Sequence, residues 1–312
     1  MTQGGPLATQ RFAFVAVCVL GAAVGCGPRA QSIKIDGSST VYPISEAVAE
    51  SFRGVRPDIR VTVGLSGTGG GMKKFTAGEI DICDASRGIK DSEVEALTEA
   101  EVPFTEFSVA FDGIAVVVHP ENDWVDSLTV EQLASIWRPL DDAPVKKWNE
   151  LNPAWPDEEI KLYGPGTDSG TFEYFTEAIV GEAKSCRSDF AASEDDNVLV
   201  TSVSEDKYSL GYFGFAYYAE NTGKLKLLGV AQGEAEPVQP SVEAIRDNSY
   251  APLSRPLFIY VRNDLLNRPA GAEFVEFYLD KAGEMAAEVG YVAVSDDVAA
   301  ENLKKYQKAL AK

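Results

Sequence analysis

Along this chain the apolar positions switch repeatedly between a period of two and a period near 3.6, which predicts alternating strands and helices. Ile33-Lys34-Ile35 reads as a short strand. From Thr40 onward, Val41, Ile44, Val48, Phe52 and Val55 recur at spacings of three and four, an amphipathic helix. Ile59 to Val63 alternates as a strand, Met72 and Phe75 belong to the next helix, and Ile80-Asp81-Ile82 is another strand. Short βα units of this kind imply a mainly parallel sheet with helices on both faces, and ligands bind beyond the carboxyl ends of such strands.

The apolar run Ile114-Ala115-Val116-Val117-Val118, within Phe111 to Val118, reads as a buried strand that crosses into a second lobe. That lobe is expected to hold a Thr129–Trp137 helix, an Ile160–Tyr163 strand, a helix after Ser169, the segment Gly211 to Phe215 and a Lys224–Leu228 strand. The Trp- and Pro-rich stretch from Arg138 to Pro156 reads as a long ordered loop. Leu257-Phe258-Ile259-Tyr260-Val261 is the expected return crossing. At the C-terminus, Ala299, Leu303, Tyr306 and Leu310 make one apolar stripe of a helix that packs back on the first lobe. The expected organisation is therefore α/β with two lobes, 33–112 plus 257–312 and 113–256, joined by a hinge that closes on a ligand.

Composition changes this picture mainly at the N-terminus. Arg11 is the only charge before an apolar run from Phe12 to Val24, too short to span a bilayer comfortably and followed by small residues, so residues 1–26 read as an export signal. Ala23-Val24-Gly25-Cys26 is a degenerate lipobox of the bacterial lipoprotein type. Its use lipidates Cys26 and makes residues 27–32 a tether; the plainer alternative is a secretory signal cut nearby.

The 312 residues carry a formal charge of −20, and 45% hydrophobic content is a globular value. A polyanion of this kind does not bind nucleic acid non-specifically, which needs clustered Lys and Arg. Beyond the signal only Cys83 and Cys186 remain, a disulfide or two free thiols. One histidine, His119, gives little support to a zinc or catalytic-histidine site, and no cofactor is expected.

Three Gly/Ser/Thr-rich segments precede helical patterns: Asp36-Gly37-Ser38-Ser39-Thr40-Val41-Tyr42-Pro43, Ser66-Gly67-Thr68-Gly69-Gly70-Gly71 and Gly164-Pro165-Gly166-Thr167-Asp168-Ser169-Gly170-Thr171. Free N–H groups and the positive end of the helix dipole favour an oxyanion at such positions. A lone loop of this kind is usually a turn or an N-cap. Three of them, distant in sequence, suggest one shared pocket.

These segments, with Asp84-Ala85-Ser86-Arg87 and Leu210-Gly211-Tyr212-Phe213-Gly214-Phe215, resemble the signature loops of PstS-type phosphate-binding proteins, in the family's order and from about Ile33 to the C-terminus. The resemblance implies a two-lobe periplasmic-binding-protein-like fold and a monomeric, non-enzymatic receptor. Such a receptor captures inorganic phosphate outside the cytoplasm for the membrane permease of an ABC importer. It implies phosphate contacts at Ser39, Thr40 and Val41, at Ser66, Thr68 and Gly69, and at Ser169, Gly170 and Thr171. Two positions depart from the best-known members, which have Asp in place of Arg87 and Arg in place of Pro165. Arg87 then becomes the expected bidentate oxyanion partner. The lost carboxylate leaves Asp36, Asp84 or Asp168 to accept the proton of hydrogen phosphate. Arg187 is a weaker second cation. Competing readings are a receptor for another tetrahedral oxyanion such as sulfate, and a secreted phosphatase. Tyr212, Phe213, Phe215, Tyr217 and Tyr218 read as core, Glu194-Asp195-Asp196 as a solvated turn or helix start, and His119 as structural.

Overall fold

A computed structural model describes residues 31–311, so the export signal, its lipobox-like end and Cys26 lie outside the described residues. The first elements are β1 (Gln31–Gly37), α1 (Tyr42–Val55), β2 (Ile59–Val63), α2 (Gly67–Thr76), β3 (Ile82–Ala85), α3 (Asp91–Glu99) and β4 (Phe104–Val118). Next come β5 (Ser127–Thr129), α4 (Val130–Trp137), α5 (Trp148–Leu151), β6 (Lys161–Gly164), α6 (Gly170–Phe175), β7 (Ala191–Ala192) and α7 (Asp196–Glu205). They are followed by β8 (Ser209–Gly214), α8 (Phe215–Glu220), β9 (Lys226–Leu227), β10 (Gly229–Ala231) and α9 (Val242–Arg246). The chain ends with β11 (Ser254–Arg262), α10 (Asn263–Leu266), α11 (Pro269–Glu288), β12 (Val292–Ala293) and α12 (Asp296–Leu310).

One continuous sheet runs β2-β1-β3-β11-β4-β8-β6-β7. It is parallel at both ends, where β1 pairs with β2 and β3 and where β6 pairs with β7 and β8. The middle is antiparallel, because β4 and β11 run against their neighbours. From Phe104 to Gly113, β4 pairs with β11; from Ile114 to Val118 it pairs with β8. Every residue from Val109 to Val118 is buried, so this strand is covered on both faces.

Two bodies of core flank the change of partner. One gathers Ile114–Val118, Leu133, Trp137, Phe175, Tyr212 and Phe213; the other gathers Ile33, Ile44, Phe52, Phe107, Ile259 and Phe274. A smaller cluster around Phe75, Cys83 and Tyr260 sits beside the second. The molecule is thus α/β with a curled, parallel-rich sheet and two lobes of core, the class the sequence predicts.

Most elements match the apolar pattern within a few residues. Helix α1 buries Ile44, Val48 and Phe52, and Pro43 stands in its first turn, where its missing N–H costs nothing. Thr129 caps α4 through its hydroxyl, which accepts the Gln132 N–H.

Two expectations differ. Residues 138–156 contain a 3-10 turn at Leu140–Asp142 and the single turn α5, pinned by the buried Trp148. In α12 the buried positions are Asn302, Tyr306 and Ala309, while Ala299, Leu303 and Leu310 face outward. Polar anchors turn the helix by about one residue: Asn302 donates to the Ser108 carbonyl and Tyr306 to the Ala272 carbonyl. It does pack on β4, α10 and α11 of the first lobe. Cys83 is buried, Cys186 half-buried, and both thiols are free.

Candidate anion site

Strands β1 and β3 end beside one another, and each delivers a loop to the same place. Gly37 has φ +147°, a backbone state that L side chains rarely adopt, and a Cβ there would collide with the Asp84 carbonyl. That close approach lets Ser38 N–H donate to Asp84 O at 2.9 Å, locking the first loop onto the end of β3. Gly71 allows α2 to lie equally close: a Cβ there would stand 2.7 Å from Gly37 Cα and 2.8 Å from Cys83 Sγ. Neither α1 nor α2 carries an acidic residue in its first turn, whereas α3 and α12 each carry two. The first turns of α1 and α2 therefore carry no carboxylate of their own to offset their positive ends.

The third loop, from the other lobe, meets the first. A Cβ on Gly170 would touch Thr40 Oγ1 at 3.4 Å and Thr40 Cα at 3.6 Å. Helix α6, which begins at Gly170, is held by aromatic packing beneath it. Phe175 stacks on Tyr212 with centroids 3.7 Å apart, and both lie edge-on to Trp137. Segments from distant parts of the chain thus converge on a cavity of about 720 Å³ between the lobes.

Of the sequence-predicted residues, Ser39, Thr40, Thr68, Gly69, Arg87 and Gly170 line this cavity. Val41 is fully buried in the first-lobe core, with its carbonyl accepting from Ile44 and Ser45. Ser66 is drawn aside, its hydroxyl donating to Asp36. Ser169 caps α6, its Oγ accepting from Thr171 N–H at 3.1 Å. Ser169 and Thr171 flank the lining residue Gly170 without lining the cavity themselves. Lining residues with hydroxyls that the motif reading did not assign are Ser38, Ser86, Tyr174 and Ser254, of which Tyr174 donates to the Pro252 carbonyl and Ser254 to Asn248. Ser38 Oγ accepts the Thr40 N–H and Thr68 Oγ1 the Ser86 N–H, both at 3.2 Å, so Ser38 keeps its hydroxyl proton to give.

The charges are arranged differently from expectation. Arg87 reaches the cavity wall, yet its two Nη atoms already donate to Glu93 at 2.9 and 2.7 Å. None of the three aspartates expected to take the phosphate proton lines the cavity. Asp36 is paired with Lys74 at 2.6 Å, and Asp168 is exposed. Asp84 is wholly buried under the first loop, where desolvation pushes its carboxyl up to about 8 against the opposing hydrogen bond from Ser45. The carboxylates on the wall are Glu173 and Glu177. Arg187 is buried elsewhere in the second lobe, donating to Asp189 and to the Ile136 and Val145 carbonyls. His119 accepts the Glu121 N–H, and Asp195 caps α7.

Motif reading missed Arg255, which lines the cavity with its side chain only 15% exposed. It belongs to no glycine- or serine-rich loop. A signal was nevertheless present: Asp112 and Arg255 each stand at the edge of a strongly apolar strand, and opposite charges so placed need one another when buried.

This geometry can be set beside known proteins. A PBP superfamily domain matches residues 22–282. The chain is 50% identical over 276 residues to protein SphX of Synechocystis sp., covering 88% of this chain and 81% of that one. It is 40% identical over 265 residues to the phosphate-binding protein PstS of Staphylococcus saprophyticus, covering 84% and 80%. The chain belongs to the PBP superfamily, among the PstS-type phosphate-binding proteins. Its fold superposes with TM-score 0.86 and 46% identity on a crystal structure of a possible phosphate binding protein from Planctomyces limnophilus, covering 90% of this chain and 99% of that one.

Proposed function

We propose that this protein captures inorganic phosphate outside the cytoplasm and hands it to the permease of an ABC importer. The observation that carries this reading is the close approach of Gly170 to Thr40, which brings an anion-type loop of each lobe to one cavity wall. Hydroxyls of Ser38, Ser39, Thr40, Thr68 and Ser86 and the N–H groups at the start of α2 supply donors for a tetrahedral oxyanion. Glu173 and Glu177 supply acceptors, which a protonated phosphate can satisfy and sulfate cannot.

Closure brings the lobes together about the paired strands β4 and β11, near residues 113 and 254, where the chain passes between them. Closing removes water from these hydrogen bonds and strengthens each of them. The protein acts as a monomeric receptor, not an enzyme, in keeping with relatives that are named as binding proteins. Lipidation of Cys26 would hold it at the outer face of the cell membrane.

Calorimetric titration of the mature protein with phosphate and sulfate at pH 6 and pH 8 tests the reading. Phosphate is expected to bind tighter than sulfate by orders of magnitude and to raise the melting temperature with concentration. Equal affinity for both anions, or steady turnover of an aryl phosphate, would refute it.

A further inference from the structure

Arg255 occupies an unusual position for a charged side chain. It is the second residue of β11, opposite Asp112 of β4, in the strand pair from which both lobes depart. Its Nε and Nη2 donate to Asp112 Oδ2 at 3.2 and 3.0 Å, and Asp112 is itself only 1% exposed. The guanidinium lies 3.6 Å over the ring of Tyr174, on helix α6 of the second lobe. Its Nη2 also donates to Thr40 Oγ1 at 2.8 Å, in the first loop. Nη1 donates to no group among the described residues, and the side chain lines the cavity.

We propose that Arg255 is the cation that holds the anion, and that it orients the Thr40 hydroxyl as an obligate donor to the same anion. This deepens the phosphate reading and rests on it. The chemistry follows from counting protons. Thr40 Oγ1 has one hydrogen, and by accepting the Nη2–H it keeps that hydrogen to give away. Arg255 Nη1 keeps both of its N–H donors for oxyanion oxygens, as charge-assisted hydrogen bonds. Arg87 is already committed to Glu93 and the Gly88 carbonyl through three N–H groups, and its side chain is twice as exposed, 32% against 15%. Arg255 also touches both lobes at once, through Thr40 and Tyr174, so an anion on Nη1 is sensed at the base of the cleft.

The test is calorimetry with inorganic phosphate on the native protein and on Arg255→Gln, Arg255→Lys, Arg87→Gln and Thr40→Val. Arg255→Gln is expected to lose at least ~100-fold in affinity, as for truncating a buried hydrogen-bonded charge. Its loss should exceed that of Arg87→Gln by more than tenfold. Arg255→Lys should recover no more than about tenfold, since an ammonium cannot serve Asp112, Thr40 and the anion together. Combining Arg255→Gln with Thr40→Val should cost less than the sum of the two, because one residue acts partly through the other. The double variant Arg255→Gln/Asp112→Asn leaves no unpaired buried carboxylate and should show the same loss while melting cooperatively. If native protein binds phosphate and both glutamine variants at position 255 bind within tenfold of it, the assignment of Arg255 is overturned. If native protein does not bind phosphate, the functional reading fails and the assignment falls with it.

Discussion

Asp84 is the buried group whose titration should be most visible in the stability of the protein. Its carboxyl is fully enclosed under the first loop, Oδ1 accepts from Ser45 Oγ at 3.0 Å, and Oδ2 has no partner among the described residues. Burial pushes it up from the usual 3.8 to about 8, so at neutral pH it is held as the neutral acid. A raised carboxyl reverses the ordinary acid-denaturation trend. Between about 4 and 8 the folded protein keeps a proton that the unfolded chain has released, so stability falls as pH rises through that window. Below 4 both states are protonated and above 8 both are ionised, and the contribution levels off. At 1.36 kcal/mol per unit, a shift of this size sets a ceiling of ~5 kcal/mol on the loss between pH 4 and pH 8. Asp84→Asn keeps an acceptor for Ser45 and cannot ionise, so it should remove this slope. Urea unfolding of phosphate-free protein at pH 5, 7 and 9 checks it, with the variant gaining on native protein by a few kcal/mol at pH 9 and little at pH 5. Parallel pH profiles for the two proteins would refute the argument.

Other consequences are simpler. Gly37→Ala combines a positive φ with a collision against the Asp84 carbonyl, and it should cost about 2–4 kcal/mol by thermal unfolding and displace the first anion loop. Phe175→Ala removes a fully buried ring that stacks on Tyr212, and it should cost about 3–5 kcal/mol in chemical unfolding, with saturating phosphate restoring part of the loss.

The distribution of legible and illegible features has a physical pattern. The alternation of strands and helices, the buried run at Ile114–Val118 and the glycine-bearing loops are local, so periodicity and turn chemistry reveal them. The face of α12 was misjudged because side-chain hydrogen bonds from Asn302 and Tyr306, made to distant carbonyls, outweigh the stripe of Ala299, Leu303 and Leu310. The cation at the site was obscured for the same kind of reason. Arg87 stands in a recognisable motif, and only the fold shows that Glu93, in the first turn of α3, accepts from both of its Nη atoms. Arg255 has no motif, and its place beside Thr40 depends on contacts across 215 residues of sequence.

The amino-acid order alone therefore determined the secondary elements, the class of fold and the loops that would face an anion, because each follows from spacing within a few residues. Which donors reach the shared cavity, which charges are already paired and which carboxyl is left without water were decided only on folding. Those properties belong to pairs of groups brought together through space, and the free energy of a buried charge depends on its neighbours rather than on its own identity.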